Sequence, residues 1–221
     1  MQIDLEPSVH AVMIDDDLVF LDVDMDAYFC LPLPPGLVTL QARRLVVREA
    51  TLADELIGAG LAQVRGQAET SRPATDLPAA PSRTARRLIE TAQGLAPRMR
   101  PMHWRALGAA LRAGWIHRTE TFGGLLEAHR KAPPPSGVDL ADLLTDLAIW
   151  RRLVPWLPMD GVCLFRSSVL AAFLCALGHR PTWVFGVRTW PFQPHCWLQI
   201  DDIALDDEHE RLCAFTPILG V

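Results

Sequence analysis

Residues 66–82, GQAETSRPATDLPAAPS, hold no periodic hydrophobicity and are built largely of Pro, Ala, Ser and Thr. No core-facing stripe can run through such a stretch, which reads as a linker. It divides the 221-residue chain into a first domain, residues 1–65, and a second, residues 83–221. Half of the residues are hydrophobic, so apolar material for buried cores is ample. No run approaches the roughly 18 consecutive apolar residues of a membrane span. The opening Met-Gln-Ile-Asp-Leu-Glu has no apolar signal core, so secretion is not expected. Five cysteines, Cys30, Cys163, Cys175, Cys196 and Cys213, are scattered without a C-x-x-C pair. An odd, dispersed set suits neither a disulfide framework nor a zinc knuckle, and points to reduced thiols in a cytoplasmic protein.

Charge separates the two parts. Residues 1–65 hold 11 acids against 4 arginines, a net of −7, while the remainder carries +2. So acidic a first domain is a poor partner for nucleic acid, whose phosphates must be met by Arg and Lys, and the charge argues against a transcription factor. The chain's single lysine, Lys131, does not follow a glycine-rich phosphate loop, so no nucleotide site of the Walker type is expected.

Three strands are legible at the start: Val9–Ile14, Leu18–Leu21 and Ala27–Leu31, separated by aspartate clusters that favour turns. Pro32, Pro34, Pro35 and Gly36 end this sheet. The pattern then predicts helices over Leu37–Val47 and Thr51–Leu61. Beyond the linker it predicts helices over Arg83–Gln93, Met102–Ala113, Phe122–Lys131 and Val138–Leu153, the last with Leu140, Leu143, Leu144, Leu147 and Trp150 at helical spacing. An apolar helix from Cys163 to Leu177, stopped by Gly178, precedes strands at Thr182–Val187, His195–Ile200 and Ile203–Leu205. A helix followed by antiparallel strands is an α+β arrangement.

Cys163 falls on the first turn of that helix. Free backbone N–H groups and the helix dipole there favour a thiolate, the reactive form of cysteine, and could also hold an oxyanion. His195, 32 residues on, is the best candidate for its base. A histidine in that role needs a third group to orient it. Asp207 closes a short strand–turn–strand and is one candidate; Asp206 is the other. Cys163 and His195 are equally compatible with core residues, Cys175 reads as a core thiol, and strand alternation should turn Cys196 away from the face of His195. A zinc site from Cys163, His195 and Cys196 lacks the local pair spacing such sites favour.

The string Cys163-Leu-Phe-Arg166-Ser167-Ser-Val-Leu170, with Leu177-Gly178, Phe185-Gly186-Val187, Pro191-Phe192, His195-Cys196-Trp197 and Leu205-Asp206-Asp207, resembles the transglutaminase-like leader peptidases of lasso-peptide biosynthesis. The resemblance covers residues 83–221 and implies a transglutaminase/papain-like cysteine peptidase domain with Cys163 as nucleophile, His195 as base and Asp207 as its orienting acid. The chain departs from that pattern at Cys196, often Ala in the family, at Gln199, often acidic, and at Asp201-Asp202, where a glycine is common. Residues 1–65 resemble the family's small leader-recognition domain, a winged-helix-like fold of three strands and three helices. That likeness implies that the leader adds as a strand to the sheet edge at Ala27, Tyr28, Phe29, Cys30 and Leu31, against a helix.

The resemblance thus implies a fused cysteine protease that binds and removes the leader of a lasso-peptide precursor. Its implied partner is an asparagine-synthetase-like cyclase that would use ATP, and no cofactor or metal is expected in this chain itself. A transglutaminase-like acyltransferase and a non-catalytic peptide-binding module are the alternatives.

Overall fold

The computed structural model describes residues 1–64, 77–92, 97–135, 137, 139–157 and 162–221. Most of the predicted linker (66–76), together with Gln93 and Gly161, lies outside them. Two compact units result. The first is Met1–Leu77 with Gly186–Pro194 and Thr216–Gly220; the second is Pro78–Phe185 with His195–Phe215 and Val221. Among the described residues, no helix is long and apolar enough to cross a membrane.

The first 64 residues form β1 (Gln2–Leu5), β2 (Val9–Ile14), β3 (Asp17–Asp22), β4 (Ala27–Pro32), β5 (Val38–Gln41), β6 (Arg44–Val47), α1 (Ala50–Gly58) and β7 (Ala62–Val64). One sheet has the order β5-β6-β1-β7 and another β2-β3-β4. The aspartate clusters act as expected. Asp15 and Asp26 adopt positive φ in the two turns of the β2-β3-β4 meander, which short polar side chains tolerate. Asp22 Oδ1 accepts the Asp24 and Met25 N–H groups, closing the second turn. Ile3, Leu5, Val9, Leu18, Phe20, Val38, Leu45, Val47, Ala53 and Leu56 then share one core. Each large side chain buried there contributes roughly 1.5–3 kcal/mol.

Two expectations fail here. Leu37–Val47 is not a helix but the antiparallel hairpin β5–β6, with Leu40 opposite Leu45 and Ala42 at φ 55° in the turn. Val38, Leu45 and Val47 are buried with exposed Thr39 and Gln41 alternating between them, so the governing period is 2, not 3.6. Consequently residues 1–64 hold seven strands and one helix, not the three strands and three helices of the expected winged-helix-like fold. That helix, α1, packs on β6 and β7.

The second part contains β8 (Arg83–Thr84), α2 (Ala85–Thr91), α3 (Pro101–Ile116), α4 (Phe122–Arg130), α5 (Leu140–Leu153), α6 (Cys163–Ala176), β9 (Thr182–Arg188), β10 (Gln193–Ile200), β11 (Ile203–Ala204), α7 (His209–Leu212) and β12 (Thr216–Gly220). The architecture is α+β, with a sheet of order β12-β9-β10-β11-β8. Helix starts follow local chemistry: Thr121 Oγ1 accepts the Gly124 N–H, and Asp139 Oδ1 accepts the Asp142 N–H. Gly178, at φ 91°, ends α6, with the His179 N–H returning to Leu174 O. Helix α3 lies close against α6, because a Cβ on Gly114 would already touch Phe165 and Val169 at 3.4–3.5 Å.

A buried polar staple ties three of these elements. His103 Nε2 on α3 and His179 Nε2 after α6 lie 2.9 and 2.8 Å from Asp146 Oδ1 and Oδ2 on α5. His103 Nδ1 accepts the Arg100 N–H, so its proton resides on Nε2 and is donated to Asp146. These three residues are 103, 146 and 179 in the chain, and no local spacing announces them.

Candidate active site

Cys163 is the first residue of α6, preceded by Val162, which makes no side-chain cap. The N–H groups of this first turn have no intrahelical acceptor, so they leave a positive end beside the half-buried sulfur. One turn further along, Ser167 and Ser168 face the interior together with Leu170, Ala171, Phe173 and Leu174, which seats the helix.

The strand β10 supplies the other half. Its ladder with β11 pairs Gln199 with Ala204 and Ile200 with Ile203, and Leu205 N–H donates to Leu198 O. There the chain leaves the ladder. The next N–H on that side, Leu198, is taken by Asp206 Oδ1 at 2.9 Å. Strand N–H groups alternate sides, so Cys196 directs its own into the gap, where Cys163 receives it. Both His195 and Cys196, which alternation was expected to turn away, bear on the Cys163 thiol.

His195 Nε2 lies 2.7 Å from Asp207 Oδ2. Asp207 Oδ1 accepts the Glu208 N–H at 2.8 Å, and Arg211 Nη1 stands 3.2 Å from Oδ2. With Nε2 committed to Asp207, Nδ1 is the ring nitrogen left for Cys163. The ring is braced by Phe215, centroid to centroid 5.2 Å, and by Trp197 at 6.2 Å. Asp206 has a different neighbourhood: its Oδ2 accepts the Ser167 hydroxyl at 2.7 Å. Of the two adjacent acids, Asp207 meets the histidine and Asp206 joins α6 to β10.

The electrostatics follow from these contacts. Hydrogen bonding by Cys196, opposed by burial and reinforced by His195, pulls the Cys163 thiol down to about 4. Burial alone would lower His195, but Asp207 and Cys163 together raise it to about 9. Near neutral pH the pair is a thiolate beside an imidazolium. Cys196 is held well above its usual range, by its bond to Cys163 first and by burial second, so it stays a thiol and donates. Burial raises Asp206, while against its burial the bond to His195 keeps Asp207 low.

Residues ahead of α3 fix the turn that carries Asp207. Strand β8 runs parallel to β11. Arg83 and Ser82 both bind the Asp202 carboxylate. Thr84 Oγ1 accepts the His209 N–H at 2.9 Å, and Arg87 Nη2 lies 2.6 Å from Glu210. Asp201-Asp202 thus holds the turn in its own way, with Asp201 at φ 51°. Gln199 is used likewise. Its Oε1 accepts the Trp197 indole N–H, and its Nε2 donates to Ala79 O and Asp201 O. The sequence singled out Ser167, Asp206 and Gln199 without showing their partners, and Arg211 carried no signal, because each of these bonds depends on where the chain folds back.

The residues expected to bind peptide, Ala27 to Leu31, lie on β4, which among the described residues pairs with β3 alone. Phe29 is 43% exposed, Leu31 packs on the core, and the Tyr28 ring meets Phe192 edge-on at 6.3 Å. Among the described residues no group of three or more His, Cys, Asp or Glu side chains is placed to hold a metal ion.

Residues 103–220, which hold Cys163, His195 and Asp207, match a family model described as the transglutaminase-like superfamily. No curated protein and no solved structure matches the chain significantly.

Proposed function

Since the chain belongs to the transglutaminase-like superfamily, we propose that it is a cysteine peptidase working through Cys163, His195 and Asp207 that removes the leader from a lasso-peptide precursor. The observation that carries the reading is the 2.7 Å bond from His195 Nε2 to Asp207, made by a ring whose other side serves a sulfur at a helix N-terminus. In this reading the Cys163 thiolate attacks the carbonyl at the boundary of leader and core. The oxyanion is met by the free N–H groups of the first turn of α6. His195 gives its proton to the leaving amine, leaving a thioester. It then takes a proton from water, hydroxide displaces the sulfur, and the leader leaves as a free acid. Asp207 holds the ring and balances its charge throughout.

The edge strand β4 supports the recognition half of the proposal. A leader in extended form would add to Ala27–Leu31 by main-chain hydrogen bonds, with side chains setting register. The freed core would pass to an asparagine-synthetase-like cyclase, the partner that would use ATP. Purified protein with precursor peptide, read by mass spectrometry, tests this: wild type yields free leader acid and Cys163→Ala yields none. A Cys163→Ala protein that trims at the wild-type rate ends the reading.

Acyl transfer to an amine is the second reading, and the superfamily match favours keeping it. It shares the thioester and differs only in the acceptor. An isopeptide product in place of the free acid would select it.

A further inference from the structure

Residues 92–119 contain five arginines and no Asp or Glu, in a chain whose net charge is −5. They include α3, whose inner face is occupied: His103, Ala106 and Ala110 are buried, and Gly114 backs onto Phe165 of α6. The outer face is apolar along one line. Trp104, Leu111 and Trp115 there are 61%, 49% and 68% exposed. Helical spacing aligns positions 104, 108, 111 and 115, and a Cβ on Gly108, within the line, would meet nothing within 4 Å. From Trp104 to Trp115 the line runs roughly 16 Å. Single exposed hydrophobes are ordinary, whereas an aligned set marks a binding surface. Arg105 and Arg112 each follow a member of the line by one residue and so flank it, while Arg98 and Arg118 stand beyond its ends; all four are exposed. Among the described residues none of these four is in an ion pair, although Arg83, Arg86, Arg87 and Arg211 all bind carboxylates.

We propose that the outer face of α3 is a docking surface for an anionic lipid bilayer. Trp104, Leu111 and Trp115 enter the boundary between headgroups and acyl chains, and the arginines meet lipid phosphates. Shape and charge together select a bilayer. The outer side of a single helix is convex, so it offers no pocket in which a protein partner could bury an anchoring side chain. A lipid interface needs no pocket, since its chains close around whatever side chains enter. Indoles favour that boundary, where the ring lies in the apolar layer and the N–H in the wet one. Unpaired arginines are drawn to a negative surface, and no acid within residues 92–119 opposes them. The helix would lie in the plane of the membrane with its inner face still on α6. This surface is independent of the peptidase reading and stands or falls without it.

The test uses the full chain and co-sedimentation with vesicles of phosphatidylcholine alone or with about 30% phosphatidylglycerol. Wild type should partition onto the anionic vesicles at least roughly tenfold more than onto the neutral ones, and about 0.5 M sodium chloride should remove most of that difference. The double variant Trp104→Ser/Trp115→Ser should lose roughly tenfold or more of the anionic binding. Arg105→Gln/Arg112→Gln, a second variant on the same face, should lose about as much on anionic vesicles and nothing on neutral ones. Met25→Ser, which removes an exposed hydrophobe from the β3–β4 turn, should bind as wild type does. Circular dichroism melting confirms that each variant is folded. Equal partition onto both kinds of vesicle, or wild-type binding by the folded tryptophan or arginine variant, overturns the proposal. Self-association in sedimentation velocity that the tryptophan variant abolishes, without vesicle binding by wild type, also overturns it and gives the face to a second copy of the chain.

Discussion

Ser167 Oγ donates to Asp206 Oδ2 at 2.7 Å, while the very next residue, Asp207, holds His195 at the same distance. Two adjacent carboxylates thus perform separate tasks: one sets the spacing of helix and strand, the other sets the imidazole. Ser167 is one turn beyond Cys163, and Leu198, the other partner of Asp206, is three residues beyond His195. Asp206 therefore fixes how far the nucleophile stands from its base without touching either.

That division predicts unequal variants. Asp207→Asn should lower kcat for the proposed peptidase by roughly 10²–10⁴-fold through loss of ring orientation. Without the carboxylate, His195 should also fall from its raised value. Asp206→Asn keeps an oxygen acceptor and should cost about tenfold or less in kcat, with the pH profile unmoved. Equal losses and equal pH shifts in the two variants would sink the distinction.

The pH profile follows from the pair. Cys163 is lowered to about 4 and His195 raised to about 9. Alkylation of Cys163 needs only the thiolate, so its rate should climb as pH rises through about 4 and hold at neutrality. Peptide cleavage also needs the imidazolium, so it should follow a bell that falls away as pH rises through about 9. In His195→Ala the alkylation limb should move up toward the ordinary thiol range, since one of the groups holding the thiolate is gone. An unmoved limb would show that His195 does not stabilise it.

The buried staple makes a separate prediction about stability. Asp146→Ala leaves the N–H groups of His103 and His179 without their acceptor, and should cost about 2–5 kcal/mol in urea unfolding. Burial alone would raise Asp146, but its bonds to His179 and His103 bring it below the usual carboxylate range. A depressed folded-state value means the stabilisation is present above the ordinary carboxylate range and is lost as pH falls through the lowered one. Acid should therefore erode the difference between wild type and variant. A gap that widens as pH falls would contradict this account.

Features set by neighbouring residues were legible in the chain. The aspartate clusters around β3, the start of α6 at Cys163 and its stop at Gly178 each depend on a few adjacent side chains and on φ/ψ preference. The α+β order and the placing of His195 on a strand follow from hydrophobic period. Leu37–Val47 misled because eleven largely apolar residues satisfy both periods, and only pairing with β1 and burial of Val38, Leu45 and Val47 select the hairpin.

The tertiary structure decided what depends on direction in space. Asp206 and Asp207 share composition and position, and the departure of the chain from the β10–β11 ladder determines which carboxylate faces the histidine. His103, Asp146 and His179 come together from three helix-bearing stretches across 76 residues of sequence. Such contacts arise from packing, and packing is a property of the closed core, not of any window of the chain.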